Sequence, residues 1–302
     1  MEIAEVEAFS TIAWVGTFTR AAAVLRLSQP AISRRIDLLE RELGAPLFAR
    51  TRGGVRLTAA GEAFLPHAWQ VLAAARDGAA AVRSLETGER GAVTLALVGT
   101  LASTSLTARL RDFRDAYPGV RLALRTARSD EVSALVRQGE VALGLRYFPD
   151  PSPAVVSRAV EDEEMVVVCA GESRLADPAA TEPGALVGAP WVGFPTDAGA
   201  SGEPFTRVLE RQLLRTGLDG AAIVAVDSLT AQKRLIEADF GLGLLPASSV
   251  EEELRLGTLR VLPIAALATT VPVVAIHRRA GYLDPAARRL LTVLTETPAA
   301  RP

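Results

Sequence analysis

Cysteine, histidine and long apolar runs are nearly missing from this 302-residue chain, which holds one Cys and two His. A single cysteine, Cys169, excludes an internal disulfide, and His67 and His277 lie too far apart to seed a metal cluster, so no zinc, other metal or cofactor is expected. Cys169 closes the apolar run Met165-Val166-Val167-Val168, which reads as a buried strand rather than a redox sensor. No uninterrupted apolar run approaches the roughly 20 residues that span a bilayer. The start, Met1-Glu2-Ile3-Ala4-Glu5, is acidic where a secretory signal is basic, so a cytoplasmic location and no membrane partner are expected. Lysine is reduced to Lys233 among 33 basic residues, a bias of composition in which no chemistry is read. No Cys-His pair, Ser-His-Asp arrangement or phosphate loop is visible, so no catalytic residue is expected.

What remains is a globular composition, 49% hydrophobic and 23% charged, long enough for two or three domains with their own cores. The most informative stretch runs from Gly16 to Thr58. Thr17-Phe18-Thr19-Arg20-Ala21-Ala22 starts one short helix, and Ser28-Gln29-Pro30-Ala31-Ile32-Ser33-Arg34-Arg35 starts a second after a tight turn, the pattern of a helix-turn-helix DNA reader. In the second helix Ile32, Ile36, Leu39 and Leu43 form one apolar stripe. Pro30, Ser33, Arg34, Asp37 and Arg41 lie opposite, with Gln29 and Arg35 on the flanks. Ser28 is a suitable N-cap, and Pro30 falls in the first turn, where a missing N–H costs little. Arg suits guanine, Gln suits adenine and Ser suits several base edges, which points to Gln29, Ser33 and Arg34 as base readers.

An ordinary amphipathic surface helix would show a similar stripe. The next segment tips the balance. Leu47 to Thr58 reads as two short strands joined at Gly53-Gly54, a basic hairpin carrying Arg50, Arg52 and Arg56. From Arg20 to Arg56 eight arginines face Asp37, Glu40 and Glu42, a net +5 on a chain of net charge −2, which leaves −7 elsewhere. A basic segment on an acidic protein is an electrostatic footprint for phosphate.

Phe9 through Ala68 resembles the winged helix-turn-helix domain of the LysR-type transcriptional regulators. The resemblance is carried by Phe-Thr-Arg-Ala-Ala at 18–22, Leu-Ser-Gln-Pro-Ala-Ile-Ser at 27–33 and Leu-Glu-x-Glu-Leu-Gly at 39–44. It continues through Leu-Phe-x-Arg at 47–50 and Leu-Thr-x-Ala-Gly at 57–61. The DNA-binding candidates are therefore Thr19, Arg20, Ser28, Gln29, Pro30, Ser33, Arg34, Arg35, Arg50, Arg52 and Arg56.

After Thr58 comes an alanine-rich helix to about Gly88, in which Leu65, Ala68, Leu72, Ala75, Ala79 and Val82 alternate spacings of three and four, a heptad seam suited to dimerisation. Pro66 and Gly78 weaken its interior. From Val93 short apolar runs alternate with helical segments, implying a parallel sheet covered by helices. Phe113 to Pro118, Gly139 to Leu145 and Gly241 to Pro246 resemble the LysR effector-binding domain. Val141 stands where the family usually has Asp.

The expected fold is thus α/β with an N-terminal winged helix-turn-helix, a long linker helix and a two-lobed periplasmic-binding-protein-like α/β effector domain. The divisions are 1–58, 59–90 and 91–302, with lobe I at about 91–160 and 266–302 and lobe II at about 161–265.

Open parallel sheets bind ligands beyond the carboxyl ends of their strands, near helix N-termini. That rule selects Thr100, Ser103, Ser129, Arg146, Thr196, Ser201 and Asp227. Thr100 also falls on the family's recurrent effector-contacting Thr. Helix capping is an equal explanation for each hydroxyl, and a surface salt bridge for Arg146. An Arg with hydroxyls favours an anionic small molecule, whereas Asp227 suits an amine or hydroxyl. The resemblance implies a homo-oligomer, a homodimer through the linker helix and a homotetramer of two dimers, on double-stranded promoter DNA. An effector-independent DNA binder would give no ligand response, and an enzyme on the two-lobed domain would turn its ligand over.

Overall fold

A computed structural model of the chain describes residues 1–87, 91–102, 104–174, 177, 181–196 and 205–296. The N-terminal head is built from α1 (Ile3–Val15), α2 (Phe18–Leu25), α3 (Gln29–Leu43) and a hairpin of β1 (Phe48–Thr51) and β2 (Gly54–Leu57). Thr17 caps α2 by accepting the Arg20 N–H, and Ser28 caps α3 by accepting the Ala31 N–H. Arg26 ends α2 in the left-handed region at φ +54°, which makes the tight turn, and Gly44 ends α3 at φ +71°. Ile32, Ile36 and Leu39 enter the core, whereas Leu43, the last member of the expected stripe, is left exposed beyond it. An aromatic cluster joins the parts: Phe9 lies 5.3 Å from Phe48 and 5.1 Å from Phe64, and Phe18 lies 5.9 Å from Phe48. Glu40 of α3 fixes the hairpin by accepting the Leu47 N–H at 2.7 Å. At Gly54 a Cβ would sit 2.5 Å from the Gly16 carbonyl oxygen, the same oxygen that accepts the Val55 N–H, so only glycine lets the hairpin close on the α1–α2 turn.

The long helix α4 (Ala59–Thr87) follows. Its first half is consumed by the head, where Ala68 and Leu72 are buried in the core with Leu65 against them, so the expected seam is not free along its length. Further along, Val82 and Leu85 are exposed. Midway, Asp77 accepts from both Arg278 guanidinium nitrogens and from the Tyr282 N–H, and Arg76 donates to the Gln138 carbonyl.

The C-terminal part is α/β. Its elements are β3 (Ala92–Val98), α5 (Thr104–Ala116), β4 (Arg121–Ala127), α6 (Ser129–Arg137), β5 (Leu143–Tyr147) and β6 (Val155–Ala170). Then come β7 (Trp191–Gly193), α7 (Val208–Arg215), β8 (Ile223–Ala225), α8 (Leu229–Glu237), β9 (Leu242–Pro246), α9 (Glu251–Leu256), β10 (Leu259–Leu262), β11 (Thr269–Arg278) and α10 (Pro285–Thr295). The strand order is β4-β3-β5-β11-β6-β9-β7-β8, with β10 also on β6.

The expectation of a parallel sheet needs correction. The triplets β4-β3-β5 and β9-β7-β8 are parallel, but β6 and β11, which carry the chain between the lobes, run antiparallel to each other and to their neighbours. One connection must bring the chain out of lobe I and another must bring it back, so the pair opposes. Strand β6 was expected only from Met165; the part before it is mostly exposed or half-buried and carries Glu161, Asp162, Glu163 and Glu164, which hides it from an apolar-run search.

Candidate functional site

Two sites emerge. On the head, Thr19, Arg20, Ser28, Gln29, Pro30 and Arg34 are exposed around the start of α3, with Ser33 half-buried. The hairpin places Arg50 opposite Val55 and Arg56 opposite Ala49, and both arginines and Arg52 are exposed. Among the described residues none of Arg20, Arg34, Arg50, Arg52 and Arg56 makes an ion pair. Five guanidinium groups without a carboxylate on one small domain are a ready counter-charge for phosphate oxygens. Arg35 departs from this group. It turns back to donate to the Ala4 carbonyl at 3.4 Å, tying α3 to α1 instead of extending the reading face.

The second site is a cleft of about 650 Å³ between the lobes. Its lobe I wall is the short turn Gly99–Leu101 after β3 and the end of β4 at Ala127 and Arg128; its lobe II wall is Phe194, Asp227, the start of α8 and the start of α9. Thr100 lines it, with its hydroxyl buried beside the Tyr147 phenol. Behind it burial pushes the Tyr147 phenol well above its ordinary range, opposed by the neighbouring Thr100 hydroxyl. Asp227 also lines the cleft and is exposed there. Ser248, on the cleft surface, donates its N–H and O–H to the Glu163 carboxylate at 3.1 and 2.8 Å. Burial raises the Glu163 pKa, and those two hydrogen bonds pull against the shift.

The remaining expected effector contacts are dispersed. Arg146 does not line the cleft. It is turned inside, 5% exposed, donating to Ser133 Oγ at 2.5 Å and Asp150 Oδ2 at 3.1 Å. A guanidinium on a buried strand needs a buried carboxylate, and Asp150, four residues on, supplies it. Ser129 is buried in the first turn of α6, outside the cleft lining, and Thr196 donates to Glu210 at 2.5 Å. Ser103 and Ser201 lie outside the described residues. Sequence reasoning missed Lys233, Arg128 and the Glu251-Glu252-Glu253 run, all on the cleft. No local signal in the sequence marks them as cleft residues, because packing of distant elements brings them there.

Comparison with known proteins identifies the chain. The family described as "LysR substrate binding domain" matches residues 86–299, and "Bacterial regulatory helix-turn-helix protein, lysR family" matches residues 3–62. The protein belongs to the LysR family of transcriptional regulators. It is a DNA-binding regulator with an effector-binding domain, and not an enzyme. Among curated relatives of this LysR regulator, the HTH-type transcriptional regulator TfdS of Cupriavidus pinatubonensis is 29% identical over 275 residues, covering 90% of this chain and 91% of that one. IlvR of Caulobacter vibrioides is 37% identical over 172 residues, 56% of this chain and 58% of that protein's length. Full-length CbnR in complex with its target DNA aligns over 97% of this chain and 98% of its own at 25% identity, with a TM-score of 0.57. A full-length OxyR variant from Pseudomonas aeruginosa shares the fold at 22% identity, TM-score 0.68, covering 97% and 94%. Regulators of this family bind promoter DNA and small-molecule effectors and form oligomers. No described helix of this one is long and apolar enough to cross a membrane.

Proposed function

We propose that this regulator acts in the cytoplasm as a homodimer joined through the exposed part of α4, with two dimers pairing into a homotetramer on promoter DNA. The domains divide as head at 1–58, linker helix at 59–90 and effector domain at 91–302, with the head's core reaching into the linker as far as Leu72. In each head the start of α3 enters the major groove, where Gln29, Ser33 and Arg34 meet base edges, while Arg50, Arg52 and Arg56 hold the backbone. The observation that carries this reading is the set of exposed arginines on α3 and the hairpin that no carboxylate among the described residues neutralises.

An effector enters the cleft beside Thr100 and shifts the population between two placements of the paired heads. Contacts support that route: Arg128 lies on the cleft at the N-terminal end of α6, while Gln138 at its C-terminal end accepts from Arg76 of α4. Arg146, the cation on which the expectation of an anionic effector rested, is buried against Asp150 and does not supply that charge to the cleft.

The test separates reading from holding. Arg34→Ala is expected to lower the preference for the operator over random DNA, at a cost of about 1–3 kcal/mol, whereas Arg52→Ala weakens binding to all sequences and reduces the salt slope by about one. Binding titrations at several salt concentrations check both. If Arg34→Ala leaves the operator preference intact, the assignment of α3 is wrong.

A further inference from the structure

The cleft has a definite electrical character. Its lining carries four carboxylates, Asp227, Glu251, Glu252 and Glu253, against two cations, Arg128 and Lys233. A fifth carboxylate, Glu163, lies directly behind Ser248. Lys233 is already engaged, whereas Arg128 is largely open to solvent. The Lys233 ammonium is 2.6 Å from Glu253 Oε1 and donates to the Ser249 carbonyl at 3.0 Å, and Arg128 lies 3.6 Å from Asp130. An anionic ligand that took Lys233 from Glu253 would leave a buried carboxylate bare, a costly exchange.

Two further observations point to what is wanted instead. Glu253 is only 7% exposed, and its Oε2 has no hydrogen-bond partner; an ionised carboxylate oxygen is an acceptor only and asks for a donor. On the opposite wall the Thr100 hydroxyl, in a residue 9% exposed, has only the buried Tyr147 phenol beside it. Phe194 and Phe205, with ring centroids 5.8 Å apart, give the cleft an apolar side, and Phe205 is held by stacking on Tyr147 at 4.0 Å.

We propose that the effector of this regulator is a small amine: a protonated nitrogen held by the Asp227 and Glu251–Glu253 side of the cleft, and an apolar body lying against Phe194 and Phe205 and reaching Thr100. The proposal rests on the reading of the cleft as the effector site. It gives the effector a positive charge, N–H donors and a hydrophobic part of about the size of one aromatic ring. An acid of the same shape meets repulsion from the same carboxylates.

The test uses matched probes on the full chain: phenethylamine, 2-phenylethanol and 3-phenylpropionate, which share a ring and differ in charge, with isoamylamine and isocaproate as an aliphatic pair. Binding of the folded state raises the melting temperature. At millimolar concentration the amines are expected to raise it and the matched acids to leave it unchanged. Asp227→Asn, an exposed position that folding tolerates, is expected to weaken amine binding roughly tenfold, and Thr100→Val to weaken it while leaving the unliganded melting temperature close to wild type. Stabilisation by the acids in preference to the amines overturns the amine proposal; if Thr100→Val abolishes the acids' effect, the cleft remains the effector site. A shift that survives Thr100→Val and Asp227→Asn alike overturns the cleft reading itself. No shift from either amine at millimolar concentration also overturns the proposal.

Discussion

Buried charges decide where this chain's arginines go. Arg109 is 7% exposed, donates to the Leu294 and Glu296 carbonyls at 2.9 and 2.8 Å, and meets Glu161 at 3.1 Å, so one side chain ties α5 to the end of α10 and to the crossing strand β6. Replacing it with Ala strands those acceptors, and Arg109→Ala is expected to lower unfolding free energy by about 3 kcal/mol, read from the urea midpoint. A change no larger than that of a surface substitution would show that the network is not holding the lobe. Glu163 gives a prediction with a sign. Burial raises its folded pKa, so its protonated form suits the folded state, and the stability it contributes at low pH is lost as pH rises through that raised value. Glu163→Gln is therefore expected to raise the melting temperature at neutral pH, with the gain over wild type shrinking toward pH 4. A gain that grows on acidification would contradict the assignment. Arg146 shows why a residue's role is hard to read at this scale: sequence position puts it at a strand end, where ligands gather, but only the fold reveals Asp150 and Ser133 beside it.

Among the elements, α3 and the hairpin were legible because their signals are local: a cap, a proline in the first turn, an apolar stripe and a Gly-Gly turn lie within a few residues of one another. Helix α1 gave no such signal, being apolar on most sides, and β6 was obscured by its charged first half. The heptad seam of α4 was real as a pattern, but its first members pack on the head, because a helix crossing two domains presents the same residues to whichever surface comes first. Its midpoint is held to the effector domain by Asp77, with Arg137 stacked over Trp69 at 5.8 Å and Gly139 at φ +68° allowing Ala73 to come close. Asp77→Ala removes three charge-assisted hydrogen bonds. It is expected to cost about 2 kcal/mol in this contact and to speed amide hydrogen exchange in the middle of α4 while the exchange of α1 to α3 is unchanged. Equal acceleration throughout the head would mean that Asp77 supports the head's own fold instead.

At the scale of the whole molecule, a single sheet runs through both lobes by way of β6 and β11, and the cleft opens where its two parallel triplets face each other across that pair. That arrangement explains why the cleft was only partly legible. The rule of strand carboxyl ends led to Thr100 and Asp227, but the acidic run at 251–253 and Lys233 reach the cleft through packing that no local pattern encodes. The DNA-reading head needs no such long-range information, since its chemistry is contiguous in sequence. In the proposed function, this chain reads a specific DNA sequence through paired recognition helices. Selection of DNA from a random-sequence pool by the purified full-length regulator tests it most directly. The account predicts an enriched inverted repeat, with half-site centres a whole number of helical turns apart, and loss of that enrichment with Arg34→Ala. Enrichment of a single unrepeated motif, or of no sequence at all, would contradict it.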